Sequence, residues 1–171
     1  MNDVPSGVKF ALKVLSACVL LFAVSLRGEA ATVPQTIAVL DSLTGDSTIT
    51  DGQVVYVDFW ASWCVPCRKS FPWMEQLVRE YGHRGLQVIA INVDHDRAKA
   101  DKFLEQNGTP ARIVYDPAGK LAKLYDLQVM PSSFLYARDG TLKLQKQGFN
   151  GDETPSVEAL IRKLIEEKPA P

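Results

Sequence analysis

The sequence predicts an α/β domain in which a central mixed β-sheet is flanked by helices on both faces. Three observations carry that expectation. Strand-like and helix-like stretches follow one another in the order β-α-β-α-β-α-β-β-α. The run Leu86-Gln87-Val88-Ile89-Ala90-Ile91-Asn92-Val93 is nearly continuous in apolar residues, which suits a strand buried on both faces. Two further strand-like runs, Ser132 to Tyr136 and Leu142 to Gln147, are joined through Arg138-Asp139-Gly140, a hairpin signal because glycine tolerates the positive φ such turns require.

Along the chain, Thr32 to Thr50 mixes Thr, Ser, Asp and Gly with short apolar pieces such as Ile37-Ala38-Val39-Leu40, and residues 31–50 are expected to be a linker with a loose N-terminal hairpin. Asp51-Gly52 signals a turn, after which Val54 to Trp60 reads as a buried strand of β-branched and aromatic residues. A helix is expected from Pro66 to about Tyr81, ended by Gly82 and Gly85, with Arg79 and His83 near its negative pole. The second strand, Leu86 to Val93, would lie parallel to the first. Arg97 to Gln106 is helical in composition and is stopped by Asn107-Gly108 and Pro110. Ile113 to Tyr115 is a short strand and Gly119 to Tyr125 a short helix. Ser156 to Ile165 spaces its apolar residues as one face of a helix that packs on the sheet. The globular domain is therefore placed at 51–167, with 168–171 a short tail.

Composition bounds the remaining choices. The 171 residues are 46% hydrophobic and 23% charged, which fits one ordinary domain plus an appendage. Lys9 and Lys13 precede the apolar run Val14 to Leu26, and Gly28-Glu29-Ala30 resembles a cleavage site, so residues 1–30 read as a secretory signal. Counting from Phe10 and tolerating Lys13 makes an uncleaved membrane anchor the alternative. Leu15-Ser16-Ala17-Cys18 also fits a lipoprotein cleavage box, but the apolar run continues beyond it, and Cys18 is better read as a small apolar residue inside the signal. Removal of residues 1–30 leaves 16 basic against 18 acidic residues, a balance that does not suggest nucleic acid or an anionic membrane surface as partner.

The chemistry is expected in Val57-Asp58-Phe59-Trp60-Ala61-Ser62-Trp63-Cys64-Val65-Pro66-Cys67-Arg68, where a strand, a paired-cysteine turn and a helix start meet. Pro66 has its φ fixed near the helical value and lacks an N–H that the first turn would leave unpaired, so a helix begins well there. Cys64 would then sit where free backbone N–H groups and the positive helix end stabilise a thiolate, and it is the candidate nucleophile. Cys67, one turn further on, is placed to resolve a mixed disulfide. The alternatives are a structural bridge, which would close a very small loop and remove little unfolded-state entropy, and half of a zinc site, whose remaining ligands would have to be His83 and His95. Both histidines read as residues of solvated loops. Asp58, between Val57 and Phe59, is costly to bury as a carboxylate, so its pKa should be raised and it becomes a candidate proton acceptor for Cys67.

Asp58 to Cys67 resembles the active-site segment of the thioredoxin superfamily, and Pro72 matches the proline that interrupts that family's active-site helix. Val129-Met130-Pro131-Ser132-Ser133-Phe134-Leu135 is similar to the family's loop in which a cis proline faces the disulfide. With Asn92-Val93-Asp94 and Arg138-Asp139-Gly140, the resemblance is to the periplasmic TlpA/ResA-like branch, over about Gln53 to Glu167. It implies a thioredoxin-like fold and a protein thiol–disulfide oxidoreductase acting by attack of Cys64 and release by Cys67. It also implies that Trp63, Pro66, Met130 and Pro131 contact substrate, with a cis Met130–Pro131 bond turning backbone groups toward it. Trp60 is expected to shield the site and Trp73 to pack within the helix. In that branch some relatives place a glutamate where Asp94, His95 and Asp96 stand, and asparagine is common at the position of Asp58. Copper carriers of this fold use a Cys-x-x-x-Cys spacing and a later histidine, both missing here.

The resemblance further implies a periplasmic or extracytoplasmic location and no metal or other cofactor. The Val-Pro pair between the cysteines resembles reducing rather than oxidising members. A reductase in an oxidising compartment needs electrons, which implies a membrane thiol donor of the DsbD or CcdA type. Client disulfides would belong to proteins such as apocytochrome c or copper-site assembly factors. The rival readings are a disulfide oxidase or isomerase, and a module that binds a client or copper without turnover.

Overall fold

The computed structural model describes Pro34 and residues 37–45, 52–110 and 112–167. The expected signal or anchor at 1–30, with Cys18, and the tail at 168–171 lie outside the described residues. Ten main elements follow in order: α1 (Ala38–Thr44), β1 (Val54–Trp60), α2 (Cys67–Tyr81), β2 (Leu86–Asn92), α3 (Arg97–Asn107), β3 (Arg112–Tyr115), α4 (Lys120–Leu124), β4 (Ser132–Tyr136), β5 (Leu142–Gln147) and α5 (Thr154–Glu166).

The sheet has the order β3-β2-β1-β4-β5. β1 runs parallel to β2, β2 parallel to β3, and β4 antiparallel to both β1 and β5, so the sheet is mixed as expected. β1 lies at its centre with all seven residues buried. Because successive side chains of a strand point to opposite faces, β1 divides its residues between two cores. Val54, Tyr56 and Trp60 pack with Phe71, Met74 and Leu77 of α2, Phe103 of α3, and Val157, Ile161 and Leu164 of α5. Val55, Val57 and Phe59 pack on the other face with Leu121 and Tyr125 at α4, and with Ile37 and Leu40 at α1. Each fully buried side chain such as Phe71 or Leu77 contributes about 1.5–3 kcal/mol of burial free energy.

The segment expected to hold a loose hairpin carries a helix instead. Ile37 and Leu40, three residues apart, are 2% and 0% exposed, a helical spacing that sets both against the sheet, whereas a strand would have turned them to opposite faces. The Ile37 N–H donates to the carbonyl of Gly140 at 2.9 Å, which docks the start of α1 on the β4–β5 turn. Pro66 caps α2 rather than opening it, since its φ of −63° and ψ of −27° are helical but the helix proper begins at Cys67. The β4–β5 hairpin has the expected limits.

Arg138, beyond β4, ties three segments at the end of the sheet away from the cysteines. Its guanidinium donates to the carbonyls of Gly52 at 2.7 Å, Arg84 at 3.4 Å and Ile165 at 3.0 Å. Gly85 lies beneath it with a φ of 102°, a conformation that favours glycine, and a Cβ there would meet Nη2 at 2.8 Å and displace the guanidinium.

Candidate active site

The site grows from the C-terminal end of β1. Trp60 closes the strand, fully buried against Phe71 and Phe103, and Ala61 to Pro66 form the loop that leads into α2. Within this loop the Cys64 N–H donates to the Ala61 carbonyl at 3.1 Å and the Arg68 N–H to that of Val65 at 3.2 Å. Cys64 and Cys67 form a disulfide with an S–S distance of 1.99 Å. The backbone N–H of Cys67, at the first residue of α2, points to Cys64 Sγ at 3.2 Å. That donor, with the positive end of the helix, favours negative charge on the Cys64 sulfur in the reduced state. Cys64 is 3% exposed and Cys67 fully buried.

The loop before Cys64 is braced by Asp94, two residues beyond the end of β2. Its carboxylate accepts from the Ser62 N–H at 2.8 Å and the Ser62 hydroxyl at 2.9 Å, and from the Asn92 side-chain amide at 2.8 Å. The Asp94 N–H donates to Asn92 Oδ1 at 3.1 Å, and the Val93 N–H to the Trp60 carbonyl at 3.0 Å. The role of Asp94 was not legible from its neighbours in sequence. The Asn-x-Asp spacing at the end of an apolar strand was the available signal.

His95, next in sequence, is exposed and turns its Nδ1 to the Pro117 carbonyl at 2.8 Å. His83 follows the far end of α2, whose 15 residues span about 22 Å at 1.5 Å per residue. Neither histidine joins the cysteines, and among the described residues no group of three or more Cys, His, Asp or Glu is arranged to hold a metal ion.

Asp58 shares a β1 face with Tyr56 and Trp60, the face on which Cys67 is packed. It is 2% exposed, and its Oδ2 has no hydrogen-bond partner. Burial holds its carboxyl well above the usual carboxylate range. Burial first, and then the charge of Asp58, push the Tyr56 phenol up as well.

The second segment arrives from β4. Phe59 pairs with Ser132, so Pro131 lies at the level of Trp60, at the same sheet end as the cysteines. The Met130–Pro131 peptide bond is cis. The Ser132 hydroxyl donates to the Val129 carbonyl at 2.7 Å and the Gly148 N–H to the Pro131 carbonyl at 2.7 Å, which secures the loop on both sides. Met130 packs against the core that contains both cysteines. Trp63 and Val65, each 64% exposed, and Val129, 42% exposed, are the exposed large hydrophobic residues among those described. Pro66 is exposed between the two cysteines, and Trp73 packs on Tyr56 with its indole N–H bonded to Glu158 at 2.7 Å.

This sheet order, with a cysteine pair at the end of the central strand and a cis proline entering the neighbouring one, defines a thioredoxin-like domain. The Redoxin family model matches residues 31–161. The chain therefore belongs to the Redoxin family, within the TlpA/ResA-like part of the thioredoxin superfamily. It is 30% identical over 114 residues to the thiol-disulfide oxidoreductase ResA of Bacillus thuringiensis subsp. konkukian, an alignment covering 66% of this chain and 64% of that protein. With ResA of Geobacillus thermodenitrificans it shares 32% identity over 108 residues, covering 61% and 62%. The chain thus spans a little under two thirds of the length of these curated relatives. Among solved structures, a Chlorobium tepidum protein described as a thiol:disulfide interchange protein DsbE superimposes with a TM-score of 0.67 at 42% identity, covering 69% of this chain and 84% of that one. StoA of Bacillus subtilis gives a TM-score of 0.56 at 26% identity, covering 64% and 84%.

Proposed function

We propose that this protein is an exported thiol–disulfide oxidoreductase that reduces disulfides of extracytoplasmic proteins. The observation that carries the reading is the Cys64–Cys67 pair at the start of α2, with the Cys67 N–H on the Cys64 sulfur and the unpartnered carboxyl of Asp58 on the same sheet face. The ResA and DsbE relatives support it by their names.

In the forward direction the reduced pair meets an oxidised client. The Cys64 thiolate attacks one client sulfur, forming an interprotein disulfide and releasing the other client cysteine as a thiolate. Asp58, as carboxylate, accepts the Cys67 S–H proton. The Cys67 thiolate then attacks Cys64 Sγ, closing the Cys64–Cys67 bond and releasing the second client thiolate, so two electrons pass to the client. Trp63 and Pro66 on one side and the backbone of Met130 and Pro131 on the other hold the client strand. Export through residues 1–30 puts the domain where clients such as apocytochrome c or copper-site assembly proteins are oxidised, and a membrane thiol donor of the DsbD or CcdA type restores the dithiol. A Bacteroides thetaiotaomicron protein described as a protein disulfide isomerase, 25% identical with a TM-score of 0.62, makes isomerisation the second reading.

The test is the reduction potential of the Cys64–Cys67 pair at pH 7, by equilibration with glutathione or dithiothreitol, together with trapping by Cys67→Ser. A potential near or below about −220 mV, with a client disulfide accumulating on Cys64 in the variant, is the expected result. A potential above about −150 mV overturns the reducing direction and points to disulfide formation or isomerisation.

A further inference from the structure

Asp58 is buried, and it lines a narrow cleft with room for about one water molecule, together with Tyr56, Trp73, Ser133, Lys146 and Glu153. The sheet register explains why Lys146 is there. Asp58 pairs with Ser133 on β4, and Ser133 pairs with Lys146 on β5, so the three residues form a row across one face. Directly opposed residues of antiparallel strands share a face, and two strand spacings separate Asp58 from Lys146 by about 10 Å. On β5, Leu144 packs on this same face two residues before Lys146, so a lysine stands where the alternation calls for a second apolar residue. Its side chain is only 21% exposed and forms an ion pair with Glu153, from the short turn Gly151–Glu153 that leads into α5.

The other groups facing the carboxyl carry no competing positive charge. Tyr56 comes from β1, Ser133 from β4, and Trp73 from α2, its indole bonded to Glu158 of α5. Cys67 lies on the same side of the sheet. Lys146 is thus the one cation lining the cleft, and it sits between two carboxyl groups, one paired and exposed at the mouth and one unpaired and buried at the base. A lysine carries a compact charge with three rotatable donors on a flexible four-carbon stem, which suits exchange between two such partners.

We propose that this cleft is the proton exit from Asp58, and that Lys146, shared between Glu153 and Asp58, sets how readily that carboxyl releases its proton. Lys146 and Glu153 are then positioning residues: neither touches the client or the sulfurs. The inference rests on the oxidoreductase reading only for its use in turnover. During a cycle the proton taken from the Cys67 thiol leaves Asp58 through the cleft to solvent, Lys146 swings toward the new carboxylate, and Glu153 draws it back once Asp58 is protonated again.

The two variants give opposite signs. Lys146→Met removes the cation and should raise the pH at which Asp58 ionises. Glu153→Gln releases Lys146 from its partner and should lower it, each by about one pH unit, the lower end of what an opposite charge at short range produces. The measurement is a ¹³C NMR titration of the Asp58 carboxyl in the oxidised full-length protein, assigned by its loss in Asp58→Asn. Lys146→Arg should keep the wild-type midpoint, and Lys146→Gln repeats the test should the methionine variant fold poorly. Shifts of the same sign in Lys146→Met and Glu153→Gln, or no shift in either, overturn the proposal. The titration needs neither client nor reductant. A low potential with an unmoved Asp58 therefore sinks this inference alone, and a high potential with opposed shifts sinks the reducing function alone.

Discussion

Ser62 gives both its backbone N–H and its hydroxyl to the two carboxylate oxygens of Asp94, at 2.8 and 2.9 Å. The loop that presents Cys64 is thereby held from the segment just beyond β2 by two charge-assisted bonds. Asp94 is 5% and Asn92 1% exposed, so removing the carboxylate leaves the Asn92 amide unpaired in a buried place and frees the partly exposed Ser62.

Asp94→Ala should therefore cost about 2–3 kcal/mol in urea unfolding of the oxidised protein, and Ser62→Ala, which keeps the backbone bond, about 1 kcal/mol. The alanine variant at 94 should also change the rate at which the reduced Cys64 thiol reacts with an alkylating reagent. Unaltered stability and reactivity would show that the brace does not hold the loop.

The burial of Asp58 makes a prediction about stability and pH. Its folded-state pKa lies above the unfolded value, so the folded chain binds the proton more tightly. The stabilisation is complete below about pH 4, the unfolded value, and is lost as pH rises toward the folded value, with a slope of at most about 1.4 kcal/mol per pH unit. Asp58→Asn abolishes that slope. Urea unfolding at pH 5 and pH 8 should show the wild type losing stability relative to the variant as pH rises. A constant difference between the two proteins would contradict the burial of an ionisable Asp58.

Trp63 stands 64% exposed beside Cys64, where nothing in the fold requires an indole. Trp63→Ala should leave unfolding stability within about 0.5 kcal/mol of wild type, as exposed substitutions do. The same change should lower kcat/KM for a protein disulfide about tenfold, while reduction of a small disulfide such as oxidised glutathione changes little. Equal losses on both substrates would count against a client-binding role for the indole.

Much of this molecule was legible in its residues because the signals are local. The apolar run of β2, the Asp-Gly turn of the β4–β5 hairpin and the Cys-x-x-Cys before a helix each depend on neighbours in the chain, and the structure contains all three. Ile37 and Leu40 look like part of a loose hairpin in sequence, because the helix that begins after Ile37 is only seven residues long and is held by docking on Gly140 and the sheet rather than by its own propensity.

By itself, then, the sequence determined the elements from β1 onward and the cysteine pair, which follow from periodicity and turn chemistry, while two separate motifs, Asp58 to Cys67 and Val129 to Leu135, carried the resemblance to the family. What only the tertiary structure decided is which distant polar groups meet. Asp94 reaches back 32 residues to Ser62, and Lys146 enters the row of Asp58 through two antiparallel pairings. Those meetings depend on strand order and register, which arise from the packing of the whole sheet, and no short stretch of the chain encodes them.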